Sequence, residues 1–162
     1  MAWVDGSAST SALPWSRESE DVLHHTVTCD SAVLALAVDD VRGRMLVGTQ
    51  QGDIRVWHLP TFEVQADLVG HRSSVLSLVL SDDYVFSASS DSTVRVWDAE
   101  TLQPCACVFP ASTNTGDIYS LAWDAKAQVL YMGCQDTSIE WISITRARLH
   151  EAASEPLWPT AT

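Results

Sequence analysis

"HRSSVLSLVLSDDYVFSASSDSTVRVWDAE" runs from His71 to Glu100 and decides the fold. It holds three apolar bursts, each closed by a turn signal. "SDD" and "SDS" read as tight turns, because Asp and Ser side chains bond their own backbone there. The pattern predicts strand a at Val75–Leu80, b at Tyr84–Ser89, c at Thr93–Asp98 and d from about Cys105 to Phe109. The same stretch carries His71, Ser87, Asp91 and Trp97. They read either as an active site or as a way of building a sheet.

Working outward, the texture holds from about residue 24 to 144. "AVLALAV", "MLVGT", "DIRVW", "DIYSLAW", "VLYMG" and "SIEWISI" are rich in β-branched and aromatic residues and separated by Gly, Asp, Ser and Thr clusters. No helix-period segment exceeds two turns, so the class is all-β. The bursts also repeat at long range. Trp57 falls on Trp97, and both units read strand, turn, strand, tight turn, strand ending in Val-Trp, turn, strand. A third copy starts at Asp117. There Asp136 aligns with Asp91, which puts Trp141 one residue short of the Trp97 position and leaves no clear fourth strand. A period near forty with four strands per unit is the signature of a propeller blade.

The expected organisation is a repeat region over 24–144, with four-stranded blades at about 32–69, 74–110 and 117–144. "HHTVT" before the first blade reads as a lone outer strand. Residues 1–23 read as a disordered lead-in carrying Trp3 and Trp15, and 145–162 as an irregular or short helical tail. Propellers close rings of roughly four to eight blades. Three blades leave the ring open, so the chain is expected to be a truncated N-terminal part of a longer product or to self-associate through open blade edges.

The formal net charge of the 162 residues is −12. Such a field repels phosphate backbones and anionic lipid, which argues against nucleic acid and membrane surfaces as partners. No apolar run reaches the roughly 18 residues of a membrane span. The N-terminus lacks a basic segment followed by an apolar one, so no secretory signal is read and a cytoplasmic location is expected. Cys29, Cys105, Cys107 and Cys134 form no C-x-x-C pair. Cys105 and Cys107 share one strand face, but two soft ligands do not make a zinc site. His24, His25, His58, His71 and His150 show no ligand spacing. No metal and no cofactor is expected.

"GH" at Gly70-His71 with "SDSTVRVWD" from Ser90 to Asp98 resembles the WD-repeat family, in the Gly-His to Trp-Asp spacing and in the Asp at the b–c turn. The resemblance implies that His71, Ser87, Asp91 and Trp97 form one structural hydrogen-bond chain. A buried Trp N–H needs an acceptor, and a Ser hydroxyl supplies one while donating onward. The rival is a Ser-His-Asp hydrolase. That chemistry needs an exposed Ser on a strained elbow beside an oxyanion hole, and Ser87 sits mid-strand between Phe86 and Ala88. The neighbouring units depart from the set. Cys29, Val47 and Gln51 replace His71, Ser87 and Asp91 in the first, and Asn114 takes the His place in the third.

"HRSSVLSL", "SDSTVRVWDAETL", "TGDIYSLAW" and "MGCQDTSIEWI" together resemble more narrowly the N-terminal WD-repeat region of the fungal glutathione-degradosome subunits. In those, a propeller precedes a metallopeptidase-like domain. This resemblance implies a non-catalytic protein–protein interaction scaffold in a glutathione-degradation complex, with a glutamine-amidotransferase-like subunit as partner. The alternative it implies is a subunit that takes part in glutathione or peptide hydrolysis through a peptidase domain missing from this chain. No catalytic residue is carried over. Arg72, Ser90, Asp117 and Gln135, before strand a and at the b–c turn, are the expected partner-contact positions.

Overall fold

The computed structural model describes residues 26–108, 115–145 and 149. The described residues form eleven strands: β1 Val33–Asp39, β2 Arg44–Thr49, β3 Ile54–His58, β4 Glu63–Leu68, β5 Val75–Leu80, β6 Tyr84–Ser89, β7 Val94–Asp98, β8 Pro104–Val108, β9 Ile118–Asp124, β10 Val129–Cys134 and β11 Ile139–Ser143. They make three antiparallel sheets, β1-β2-β3-β4, β5-β6-β7-β8 and β9-β10-β11, each in meander order. The architecture is all-β, a partial propeller of three blades that the described residues do not close into a ring.

Each blade follows from alternating side chains that serve two neighbours at once. In blade 2, Val75, Leu78, Val85 and Trp97 point toward blade 1 and join Ala35, Leu46, Ile54, Val56 and Leu68. The residues in between, Phe86, Ala88, Val94, Val96 and Ala106, point the other way and join Ile118, Leu130, Met132, Cys134 and Ile144 of blade 3. Being packed on both sides, β6 and β7 are buried almost throughout. The outer strand β4 is largely exposed.

The turns repeat along with the strands. Gly52, Ser92 and Thr137 hold the same place in the three b–c turns, all at positive φ (98°, 64° and 72°). Gly52 carries this geometry without strain, whereas Ser92 and Thr137 do not. Gly52 also lets its turn approach blade 2, since a Cβ there would lie 2.9 Å from the Ser73 carbonyl oxygen and 3.0 Å from that of His71. Gly48 answers a second close approach. An added Cβ would meet Val75 Cγ1 at 2.6 Å, so blade 2 seats directly against the blade 1 backbone.

Polar contacts tie blade 1 to blade 2 at both ends. Buried Arg44 pairs with buried Asp39 at 2.9 Å and donates to the Ala99 carbonyl. Arg42 bonds Glu100 at 3.0 Å and the Asp82 carbonyl at 2.8 Å. At the opposite end Ser74 Oγ donates to the Gln50 carbonyl. Blades 2 and 3 are joined where Leu121 N–H donates to Ser77 Oγ at 3.1 Å.

Of the three blades expected to be four-stranded, the third shows three strands among the described residues, matching the lack of a clear fourth strand in its sequence. One expectation needs correction. The "HHTVT" segment was expected to form an outer strand, yet its described part, Thr26 to Thr28, has no strand structure. Strand d of blade 2 starts at Pro104, beside the expected Cys105, and is described to Val108; Phe109 lies outside the described residues. At the start of the tail, Leu149 N–H bonds the Thr145 carbonyl, and its side chain is buried with the blade 2–blade 3 core. Residues 1–23 with Trp3 and Trp15, His24, His25, Asn114 and most of 145–162 lie outside the described residues.

Candidate functional site

The sheet brings the four polar residues of blade 2 together. His71 lies in the loop before β5, Ser87 in β6, Asp91 in the b–c turn and Trp97 in β7. Trp97 Nε1 donates to Ser87 Oγ at 3.0 Å. Ser87 Oγ stands 2.8 Å from His71 Nε2, and His71 Nδ1 stands 3.0 Å from Asp91 Oδ2. One proton assignment satisfies every member: Nδ1–H donates to Asp91, Nε2 accepts from the Ser87 hydroxyl, and Ser87 oxygen accepts from Trp97.

Asp91 is the hub. It also accepts the Arg72 N–H at 2.8 Å, the Thr93 N–H at 3.0 Å and the Thr93 hydroxyl at 2.6 Å. Burial pushes its carboxyl up, but the hydrogen bonds from His71, Thr93 and Arg72 outweigh burial and hold it well below the usual carboxylate range. Thr93, two residues after Asp91, is a member that the sequence reading did not single out. An Asp followed two positions later by Thr is the signal that points to it, because a turn carboxylate reaches the N–H and hydroxyl of that residue.

The chain Asp91–His71–Ser87 has the connectivity of a hydrolase triad but cannot act as one. Ser87 is fully buried. Its oxygen already accepts the Trp97 indole N–H, and the side chain lies in a regular strand paired on both sides. A nucleophile must reach substrate beside oxyanion donors, and Ser87 cannot. Among the described residues, no group of three His, Cys, Asp or Glu side chains gathers as metal ligands do. The four cysteines are free thiols. Burial pushes the thiols of Cys105, Cys107 and Cys134 up, away from the reactive thiolate.

In blade 1, Trp57 keeps the Trp97 position but Val47 fills that of Ser87. Its buried Nε1 has no hydrogen-bond partner. In blade 3, Met132 stands at the Ser87 register position and Ile142 at that of Trp97. Asp136 accepts there from the N–H and hydroxyl of Ser138, and its own N–H donates to the Thr115 carbonyl at 3.4 Å, in the loop before β9.

The expected contact positions lie along one rim of the arc. Arg72 and Ser90 flank the network in blade 2. Asp117 and Gln135 sit in the matching loops of blade 3, linked through Asp117 N–H to Gln135 Oε1 at 3.2 Å and Gln135 N–H to the Asp117 carbonyl at 2.9 Å. Arg72 and Gln135 are exposed; Ser90 and Asp117 are half-buried.

Comparison with known proteins places this geometry. Residues 62–98 match the family model described as "WD domain, G-beta repeat". That span starts at the last residue of the c–d turn of blade 1, takes in β4 and runs through β7 of blade 2, so it includes all four network residues. The chain is 42% identical over 88 residues to zinc finger CCCH domain-containing protein 17 of Oryza sativa subsp. japonica, covering 52% of this chain and 19% of that protein. It is 27% identical over 143 residues to the probable di- and tripeptidase DUG2 of Saccharomyces cerevisiae, covering 76% of this chain and 16% of that protein. It thus spans less than a fifth of the length of either relative. Among solved structures, the computationally designed Ika8 protein superposes with a TM-score of 0.59 at 29% identity, over 70% of this chain and 33% of that one. With one repeat matched in sequence and the blades and hydrogen-bond chain present in the fold, the chain carries a WD repeat and folds as a partial β-propeller.

Proposed function

We propose that this chain is a non-catalytic interaction scaffold of a cytosolic glutathione-degrading assembly, and that it presents its loop rim to a glutamine-amidotransferase-like subunit. One observation carries the non-catalytic reading. The side chains with the look of chemistry, His71, Ser87 and Asp91, are used up inside a closed network that holds the loop before β5 against the b–c turn. What the network leaves to a partner is the rim it stiffens. The similarity to a probable di- and tripeptidase, extending over 76% of this chain, supports the choice of assembly.

Two measurements test the proposal. The purified chain, incubated with glutathione, yields no hydrolysis. Immobilised on a biosensor, it binds a purified glutamine-amidotransferase-like subunit, and the double variant Asp117→Lys, Gln135→Lys weakens that binding about tenfold, as expected for lost contacts worth about 1.4 kcal/mol. Hydrolysis by the chain alone overturns the non-catalytic reading. Absence of binding overturns the choice of partner.

A further inference from the structure

Two apolar blade faces are open among the described residues, and they are of opposite kind. On blade 1 the open face carries Val33, Leu36 and Val38, which stand at the register positions of Val75, Leu78 and Leu80 in blade 2 and of Ile118, Leu121 and Trp123 in blade 3. At both internal junctions these positions belong to the face that receives the preceding blade. Leu36 is 56% exposed and Val38 51%.

On blade 3 the open face carries Tyr131, Ile139 and Trp141. They hold the register positions of Phe86, Val94 and Val96 in blade 2 and of Leu46, Ile54 and Val56 in blade 1, the face that packs on the following blade. Phe86, Val94, Val96, Leu46, Ile54 and Val56 are all fully buried. Ile139 is 70% exposed and Trp141 67%. The one-residue displacement of the third tryptophan has a structural consequence. Trp141 leaves the Trp97 position, which faces back into the chain, and stands on the outward side.

We infer that two copies of this chain close on each other head to tail, blade 3 of each stacking on blade 1 of the other. The junction continues the packing already present twice within the chain, where one such face seats on the other. The count also fits. The three described blades of two copies make six, within the range of about four to eight that closes a ring. The arrangement repeats a single heterologous contact twice and closes, leaving neither face exposed. The inference rests on the open faces alone and holds or fails independently of the partner proposed above.

Sedimentation velocity tests it. The full chain, at about 50 μM and in about 0.5 M salt so that the repulsion between two strongly acidic copies is screened, is expected to sediment at twice its 17.7 kDa mass. Leu36→Lys and Trp141→Glu, on opposite open faces, are each expected to weaken the dimer at least tenfold. Circular dichroism shows whether each variant stays folded, and Val38→Lys with Ile139→Glu forms a second, independent pair. Mixing the Leu36→Lys and Trp141→Glu chains is expected to recover the double-mass species, because one of the two contacts in the mixed pair joins two intact faces. A wild-type chain that stays monomeric overturns the inference, and means that these faces are covered by a segment of the same chain or by another protein. A dimer sensitive to only one of the two substitutions also overturns it, since like faces would then be meeting. So does a mixture that stays monomeric while the wild type does not.

Discussion

His71 Nε2 and Ser87 Oγ, sixteen residues apart in the chain, stand 2.8 Å apart in the buried interior of blade 2. That contact joins a loop to a strand, and its protons are set by the neighbours on either side. Asp91 takes the proton of Nδ1, which leaves Nε2 as an acceptor and obliges Ser87 to donate. Ser87 oxygen is then free to accept from Trp97. A change at one end of such a chain is felt at the other.

Asp91→Ala removes the acceptor for His71, Arg72 N–H and Thr93. It is expected to cost about 1–3 kcal/mol of unfolding free energy by stranding those donors. Thermal and urea unfolding of the variant measure it, and an unchanged melting temperature would contradict the network.

Acid should weaken the same link. The Asp91 carboxyl lies lower in the folded state than its ordinary value of 3.8. Its contribution to stability is therefore fully present above that value and is lost as pH falls below it, toward the lower folded value. Urea midpoints of the wild type between pH 6 and about pH 2.5 should fall more steeply than those of Asp91→Asn, which has no charge to lose. Parallel curves would assign the acid sensitivity to other carboxylates.

The two equivalent tryptophans should respond differently to the same substitution. Trp97→Phe loses a hydrogen bond and leaves Ser87 short of a donor, whereas Trp57→Phe removes an N–H that has no partner. Trp97→Phe is expected to be the more costly by about 1 kcal/mol. Equal losses in chemical denaturation would mean that packing alone accounts for both.

Thr137 is β-branched, exposed and at φ 72°. Glycine adopts that conformation without the clash, at some cost in chain entropy. Thr137→Gly is expected to raise stability by about 0.5–1 kcal/mol. Ser138→Gly next to it should lower stability, because it deletes the hydroxyl that Asp136 accepts at 2.6 Å. A destabilised Thr137→Gly would show that the side chain contributes more than the backbone costs.

The strands of blade 2 are legible in sequence because each burst is short and stopped by Asp and Ser turns of definite chemistry. Four of the network residues are legible as well, through the Gly-His to Trp-Asp spacing, which fixes where loop, turn and strand must meet. Thr93 is less visible, since a Thr at the start of a strand reads first as a β-former. The Asp39–Arg44 pair is not legible. Both residues flank a turn and look like solvated charge, yet in the fold they are buried, with Arg44 reaching the Ala99 carbonyl of blade 2. The outward stance of Trp141 follows from a one-residue offset that the alignment records but does not interpret. Which face it occupies depends on pairing register, a property of two strands together.

The close seat at Gly48 carries a wider consequence. Ala88 and Gly133 hold the same register position in the other two blades, so each blade carries a side chain of at most one methyl group there. At Gly48 the missing Cβ leaves the space that Val75 fills. The spacing between blades 1 and 2 is gauged by an absent atom, and with it the angle at which one sheet fans from the next. In a fan, an error at one hinge is carried by every blade beyond it. A single methyl group at residue 48 would act on the curvature of the arc as a whole as much as on local packing.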